Sequence, residues 1–275
     1  TLNSLTRCRR IVAASDRTGL EKALNVIGAV TEGGVTATLN FKVAEAAALY
    51  ESVYRSVSFA LANEFTLLCE KVGVDYLAVQ SLLFPVTEAY QQALDCLGRE
   101  PLLMLLEEAE NQNVKLRTPQ AALDSSNEVV RHGVSLIQKA LKDCGKTMRR
   151  AKIAVLGVSQ TQNTADNPKN MVKSIAKILE KKGAKLSFYD PFLHGKTVDL
   201  EGQSLDESLV KAVEGADCIV IFTGHDQFKK LNLGKIKLLA KTPTAIVDFE
   251  GVLDPSKVED EGFIYRGFGR GVHRK

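Results

Sequence analysis

The second half of the chain alternates between short apolar strands and amphipathic helices, and this alternation restricts the fold more than any other feature. The strand candidates are residues 152–156, 185–189, 218–222 and 245–249. Helical patterns accompany them at residues 169–182, 205–214 and 235–241. Strands that are apolar throughout and are separated by helices build a parallel sheet with both faces covered. Residues 147–275 are therefore predicted to form a Rossmann-like domain with a parallel sheet.

A long helical pattern at residues 42–72 precedes this domain. Two apolar surfaces run along it, formed by Leu49, Val53, Val57 and Leu61 on one side and by Ala47, Tyr50, Tyr54 and Phe59 on the other. A helix that is apolar on two sides needs a partner on each. The helical patterns at 76–84, 101–109 and 118–141 supply one partner, and a second copy of the chain is expected to supply the other. Residues 40–146 are thus predicted to be an all-helical dimerisation domain that makes a homodimer. The alternative is a long helix enclosed by its own domain.

The first 39 residues show the closing pattern of an α/β domain. A strand-like run at 10–15 is followed by a helix candidate at 19–30, which Asp16 or Thr18 can cap, and by a weak strand at 35–39. We interpret residues 1–39 as the remnant of an N-terminal α/β domain. The expected fold class is α/β, with the helical domain between two α/β segments.

Composition excludes several classes of function. Thirty-six basic residues face 33 acidic ones, and the charges are interspersed along the sequence, so no nucleic-acid partner is expected. The five cysteines are odd in number and widely spaced, which predicts neither a disulfide framework nor a metal site. No apolar stretch approaches the ~20 residues that span a bilayer. We expect a cytoplasmic protein without a membrane partner. Its basic end, with Arg266, Arg270, His273, Arg274 and Lys275, is expected to be a solvated terminus; the alternative is a phosphate-binding tail.

The turn that follows the strand at 152–156 is the first place where a ligand is expected. It has one glycine, Gly157, where a dinucleotide-binding fingerprint needs three, so the backbone is not expected to approach a pyrophosphate closely. A nucleotide can still lie over the carboxyl edge of the sheet. The substrate-binding candidates there are Ser159, Thr161, Asn163 and Thr223. The alternative is a plain capping turn.

Several short runs, taken in order, resemble one enzyme family. They include Ala44-Glu45, Asn63-Glu64, the run from Cys69 to Asp75, Asn127, Val155-Leu156-Gly157, Tyr189-Asp190-Pro191, Ala216-Asp217, the run from Thr223 to Phe228 and the run from Gly267 to Gly271. Their order and spacing are similar to those of the UDP-glucose/GDP-mannose dehydrogenase family. The resemblance implies an N-terminal NAD-binding domain, a helical dimerisation domain and a C-terminal UDP-sugar domain. Members of the family oxidise a sugar C6 alcohol to a carboxylate in two NAD-dependent steps.

The chain departs from the family at the positions that carry oxidation. The family's Ala-Glu-x-x-Lys-x-x-x-Asn pattern, whose lysine and asparagine stabilise oxyanions, here has Ala48 and Ser52. The family's nucleophilic cysteine is best matched by Cys96, without the usual glycines. Cys96 is either that nucleophile or an ordinary small residue. The second interpretation is favoured because no lysine or histidine nearby would stabilise its thiolate. Glu100 is either a water activator or a solvated carboxylate at a helix start.

The sugar-nucleotide domain departs from the family as well. The Phe-Lys pair that grips the uridine and sugar corresponds to Gln160 and Thr161, and an expected arginine is replaced by Glu250, which would repel a diphosphate. Asn163, Asp166 and His225 remain as polar candidates, and the alternative for each is a turn former or a helix cap. The chain resembles the family from within its first domain onward, and the Gly-x-Gly-x-x-Gly unit is absent, so the chain as given is not expected to bind NAD.

Three functional hypotheses remain from the sequence. The first is a dimeric, UDP-sugar-binding pseudoenzyme that has lost oxidation. The second is the C-terminal portion of an active NAD-dependent UDP-sugar 6-dehydrogenase, of the N-acetylmannosamine type, with Lys42 as a substitute cation. The third is a structural oligomerisation module without a ligand.

Overall fold

The structure, a computed structural model, describes residues 6–82, 100–193, 200 and 203–270. Its strands are β1 Arg10–Ala13, β2 Val35–Thr38, β3 Lys152–Leu156, β4 Lys185–Tyr189, β5 Cys218–Ile221, β6 Ala245–Asp248 and β7 Ile264–Gly267. Its helices are α1 Arg17–Val30, α2 Phe41–Val72, α3 Tyr76–Leu82, α4 Glu100–Asn111, α5 Arg117–Asp143, α6 Asn170–Lys181, α7 Leu209–Val213, α8 Asp226–Lys229, α9 Leu233–Leu239 and α10 Pro255–Asp260.

The chain divides into two compact units. The first unit comprises Thr1–Val57 and Arg99–Gln120, and the second comprises Ser58–Gly98 and Ala121–Lys275. The boundaries fall inside α2 and inside α5, so both helices contribute residues to both units.

The first unit contains the small sheet formed by β1 and β2. The two strands pair in parallel, with Arg10 opposite Val35 and Ala13 opposite Thr38. Between them, α1 begins where Asp16 Oδ1 accepts a hydrogen bond from the Gly19 amide at 2.7 Å. Asp16 rather than Thr18 is therefore the cap, because its carboxylate satisfies an amide that has no partner inside the helix.

The second unit is built on a five-stranded sheet with the order β4-β3-β5-β6-β7. Every pair of neighbours is parallel, and Leu156 lies opposite both Tyr189 and Ile221. The carboxyl ends of these strands therefore meet at one edge. The predicted α/β fold with helical and parallel-sheet regions is confirmed.

Both faces of this sheet are covered by apolar clusters. On one face Val155 packs with Ile175 of α6 and Ile137 of α5, and all three are almost completely buried. On the other face Leu156 packs with Phe228 and Val258. The later part of α5, which the sequence analysis assigned to the helical domain, thus buries its apolar stripe in the same cluster as the sheet. Burial on both faces is why these strands read as unbroken apolar runs.

Three elements of the second unit were missing from the prediction. Helices α8 and α10 are short, and β7 contains only Ile264 as an aliphatic residue, so none has a clear periodic pattern. The expectation of a solvated basic end is wrong for Arg266 and Arg270. Arg266 lies in β7 and donates to Asp143 at 3.0 and 2.5 Å, and the Arg270 guanidinium lies 5.9 Å from the ring centre of Tyr265.

Candidate functional site

The carboxyl edge of the large sheet reverses its strand order between β3 and β5. From β3 the chain crosses to β4 on one side, and from β5 it crosses to β6 on the other. Such a reversal leaves a crevice between the two loops, and ligands of open α/β sheets bind there. Gly157 makes the close approach of these loops possible. Its φ is 75°, and a Cβ at this position would lie 2.4 Å from the carbonyl oxygen of Thr223.

Asp190, which directly follows β4, organises the floor of this crevice. Its Oδ2 accepts hydrogen bonds from the amides of Val158 and Ser159, both at 2.9 Å, and its Oδ1 accepts from the amide of Phe192 at 2.9 Å. Burial by itself raises the pKa of this carboxyl, but the hydrogen bonds from His225, Ser159 and Phe192 outweigh it and lower the pKa well below its ordinary value. Asp190 is therefore a buried anion that holds the loop after β3 in place.

His225, which follows β5, joins the two loops. Its Nδ1 accepts a hydrogen bond from the amide of Asn163 at 2.9 Å, so the ring proton lies on Nε2. Nε2 in turn lies 3.1 Å from both Asp190 Oδ2 and Ser159 Oγ. The ring is fully buried between the aromatic rings of Phe192 and Phe228, at centroid distances of 5.0 and 5.5 Å. This histidine connects three segments that are distant in sequence.

The four sequence-predicted binding residues lie together at this edge, but at two depths. Ser159 and Thr223 are buried, and Thr223 Oγ1 donates to the Ser159 carbonyl at 2.7 Å, so both belong to the floor. Thr161 and Asn163 are exposed on the rim. Asn163 exchanges two hydrogen bonds with Asp226, at 2.8 and 3.0 Å. A ligand over this edge would reach the rim residues first, and contact between any of the four and a ligand stays a prediction.

A partly buried ion pair beside the crevice was not predicted from the sequence. Lys169 Nζ lies 2.5 Å from Glu250 Oε1 and donates to the carbonyl of Phe222 at 2.9 Å. The other carboxylate oxygen of Glu250 accepts from the amide of Gly224 at 2.7 Å. The negative charge that was expected to repel a diphosphate is therefore compensated by a lysine 81 residues away in sequence. A lone lysine before a helix carries no motif that would have revealed this pairing.

The oxidation candidates show no catalytic cluster within the described residues. Ser52 Oγ donates to the carbonyl of Ala48 one turn earlier, at 3.0 Å, so its hydroxyl is used inside its own helix. Glu100 is the exposed first residue of α4. Cys96 lies outside the described residues. No group of three or more His, Cys, Asp or Glu side chains in the described part of the chain is arranged to hold a metal ion.

A cavity of about 1140 Å³ opens elsewhere in the second unit, between α5 and the edge strand β7. Its charged lining is largely paired internally. Arg131 pairs with Glu128, and Arg266 pairs with Asp143. The chemistry of the chain therefore points to the crevice at the carboxyl edge of the sheet rather than to this cavity.

Comparison with known proteins assigns this crevice to a recognised domain. Residues 154–255 match the UDP-binding domain of the UDP-glucose/GDP-mannose dehydrogenase family. The UDP-N-acetyl-D-mannosamine dehydrogenase of Methanococcus maripaludis is 27% identical over 98% of this chain and 62% of its own length. The enzyme of the same name from Pyrococcus horikoshii is 30% identical over 84% of this chain and 53% of its own length.

Solved structures give the same result at the level of the fold. The UDP-D-ManNAc dehydrogenase from Pyrococcus horikoshii superposes with a TM-score of 0.81 at 27% identity, over 98% of this chain and 62% of that one. The NDP-N-acetyl-D-galactosaminuronic acid dehydrogenase from Methanosarcina mazei gives 0.84 at 22% identity, which shows the shared fold alone. The chain thus spans less than two thirds of the relatives that it matches. None of the described helices is both long and apolar enough to cross a membrane.

Proposed function

Since the chain belongs to the UDP-glucose/GDP-mannose dehydrogenase family, we propose that it is a dimeric UDP-sugar-binding protein that has lost the ability to oxidise the sugar. The observation that carries the proposal is the combination of a fully formed crevice with an oxyanion position that has no charge. The crevice is held by Asp190 and His225, while Ala48 and Ser52 occupy the positions that need lysine and asparagine.

The case for binding rests on preorganisation. Hydrogen bonds among Asp190, His225 and Ser159 already hold the buried polar groups at the floor of the crevice. Ligand binding therefore does not need to order these side chains, which lowers the entropic cost of binding. Thr161 and Asn163 offer hydroxyl and amide groups on the rim. The relatives' names make UDP-N-acetylmannosamine the first ligand to test.

The case for lost oxidation rests on charge. Removing one preorganised oxyanion donor lowers turnover by about 10²–10³-fold. Here the lysine position carries the methyl group of Ala48, and the hydroxyl of Ser52 is already bonded to the Ala48 carbonyl. The residual rate is expected to be very low even where NAD is supplied by the family's first domain.

A dimer is proposed from the exposed apolar side chains of α2. In the first unit Tyr50 and Tyr54 are 72% and 58% exposed, and in the second unit Leu61 and Leu68 are 68% and 51% exposed. Their spacing of four, seven and seven residues keeps them on one stripe of the helix. The sequence prediction that Leu61 shares a surface with Val53 is wrong, because Leu61 is 68% exposed whereas Val53 is buried. A second copy of the same helix is the occupant we propose, because two such stripes can pack ridge into groove along the helix.

The second hypothesis keeps the enzyme active. In it, the chain is the C-terminal portion of a working NAD-dependent UDP-sugar 6-dehydrogenase, and Lys42 replaces the missing lysine. Lys42 lies on α2 six residues before Ala48. At 100° and 1.5 Å per residue it is about 120° around the helix and about 9 Å along it, which places its charge away from the required position. The third hypothesis, a module without a ligand, would require only the α2 stripe.

We further propose a cytoplasmic location. The cysteines of the described chain, Cys8, Cys69, Cys144 and Cys218, are all free thiols. Free thiols persist in a reducing compartment.

Isothermal titration calorimetry of this chain tests the binding proposal. UDP-N-acetylmannosamine, UDP-glucose and UDP are titrated, with GDP-mannose as the specificity control. Saturable micromolar binding of one UDP-sugar is expected, and Asn163→Ala should weaken it while Asn113→Ala, an exposed asparagine with the same left-handed backbone, should not. The absence of heat at protein concentrations that detect millimolar affinity would eliminate both ligand-based hypotheses.

Turnover separates the pseudoenzyme from the active enzyme. NADH formation is followed with the bound UDP-sugar, on the protein together with any sequence that precedes Thr1. No turnover is expected from the natural sequence, and Ala48→Lys combined with Ser52→Asn should raise the rate. The second hypothesis would be favoured if the natural sequence shows turnover and Lys42→Met abolishes it.

The dimer is tested by light scattering coupled to size-exclusion chromatography. Leu61→Glu should convert a dimer to a monomer, because it places a charge in the apolar stripe. Glu45→Gln, an exposed residue about 160° around the same helix from Leu61, serves as the control. A monomeric natural chain would overturn the dimer.

A further inference from the structure

The amino edge of the large sheet carries a cluster of basic side chains that the sequence does not reveal. Arg149 and Arg150 precede β3, Lys181 and Lys182 end α6, and Lys185 begins β4. The Arg150 amide donates to the Gly183 carbonyl at 2.7 Å, and the Lys185 amide donates to the Ala151 carbonyl at 2.8 Å. We call these five residues, Arg149, Arg150, Lys181, Lys182 and Lys185, the amino-edge patch.

The charges of the amino-edge patch are uncompensated. All five side chains are exposed, and none forms an ion pair or a side-chain hydrogen bond with another residue of the described chain. Two acidic residues of the described chain, Asp217 before β5 and Glu180 in α6, are engaged elsewhere, since Asp217 pairs with Lys146 and Glu180 accepts from Gln203. Five positive charges exceed the net charge of the whole chain, +3, so the remainder of the molecule is slightly acidic.

The backbone at the patch supplies a second observation. Arg150 has a φ of 67°, in the left-handed region that favours glycine and asparagine. A long basic side chain is thus held at a strained position in a tight turn that a glycine would fill without strain. Strained backbone positions of this kind cluster at functional sites. Here that side chain adds to a surface of one sign.

We propose that the amino-edge patch is a docking face for a bilayer that contains anionic lipids. The patch has no aromatic side chain on which a single-stranded nucleic acid would stack, and no apolar anchor of the kind that protein interfaces use. Exposed lysine and arginine side chains on one edge instead suit a flat surface of negative charge, whose attraction adds up over each basic residue near it. The face lies at the end of the strands opposite the crevice, so docking leaves the crevice open.

Vesicle flotation tests this proposal on the full chain. Binding to vesicles of phosphatidylcholine with phosphatidylserine is expected, with none to phosphatidylcholine alone. Raising the salt from ~0.1 M to ~1 M should abolish binding, because the screening length falls from ~10 Å to ~3 Å. The triple variant Lys181→Gln, Lys182→Gln and Lys185→Gln should lower the partition coefficient by about 100-fold.

A matched triple variant removes the same net charge elsewhere. Lys22→Gln, Lys115→Gln and Lys139→Gln change three exposed lysines outside the patch and should leave flotation almost unchanged. Equal loss in both variants would show that net charge alone acts, and would overturn the docking face. The proposal is also overturned if anionic vesicles do not bind the natural chain, or if duplex DNA binds it more tightly than the vesicles do. Thermal melting of each variant establishes that it is folded.

Discussion

Replacing Asp190 by asparagine should destabilise the second unit more than any other single change of charge in the crevice. The carboxylate is 1% exposed, and it accepts three backbone hydrogen bonds at 2.9 Å and one contact from His225 at 3.1 Å. A hydrogen bond to a charged group contributes about 1.5–3 kcal/mol. An asparagine retains one acceptor and turns an NH₂ group toward the remaining donors, so we expect a loss of about 3–5 kcal/mol in the free energy of unfolding.

The pH dependence of this loss identifies its cause. The folded pKa of Asp190 is lowered, so its stabilising contribution is complete above the unfolded pKa of about 3.9 and is lost as the pH falls below that value. Between pH 7 and pH ~3 the difference in the free energy of unfolding between the natural chain and Asp190→Asn should shrink by about 1 kcal/mol. A loss due to packing alone would stay constant with pH.

Denaturant unfolding, followed by circular dichroism at both pH values, measures these quantities. Asp226→Asn is the control, because Asp226 belongs to the same loop system but is exposed and bonded to Asn163 and Lys229 at the surface. The denaturant concentration at the unfolding midpoint of Asp226→Asn should equal that of the natural chain. If Asp190→Asn costs no more stability than Asp226→Asn, the network does not hold the crevice in the way described.

Two further changes test the contacts between the crevice loops. Gly157→Ala should lower the free energy of unfolding by more than about 2 kcal/mol, because the new methyl group would lie 2.4 Å from the Thr223 carbonyl oxygen. Gly145→Ala, at a glycine with a similar φ and open space around it, should lower it by only about 1 kcal/mol. Equal losses in melting temperature would contradict this reasoning. Lys169→Met should lower the free energy of unfolding by about 2 kcal/mol, because it leaves Glu250 without its cation and the Glu250 side chain is only 25% exposed. Adding Glu250→Gln should recover part of that loss in a double-mutant cycle. Additive losses would mean that the two residues are not coupled.

Much of the fold was readable from local patterns. Strands β3 and β4 begin and end where the sequence predicts, because their apolar runs are bounded by charged and glycine residues. Helix α2 was also predicted within one residue at its start. Strand β7 was not predicted, because its sequence contains an arginine and a glycine and lacks an apolar run. It is a strand because it pairs with β6.

The candidate site was only partly readable. The sequence predicted that Ser159, Thr161, Asn163 and Thr223 lie at the carboxyl edge of the sheet, and they do, because strand ends in a parallel sheet are fixed by topology. That they bind a ligand stays a prediction. Which side chains face a ligand and which form the floor depends on contacts between loops more than 60 residues apart.

The sequence by itself determined the parallel sheet, the long helix and the likeness to the dehydrogenase family, because periodicity and motif order are local properties of a chain. It also determined the absence of lysine and asparagine at Ala48 and Ser52. Only the tertiary structure decided where the charges lie. It buried Asp190 beside His225, paired Lys169 with Glu250, and brought to one edge five cations from two segments, 149–150 and 181–185. Electrostatic energy depends on distance in space and on burial, and neither is fixed by distance along the sequence.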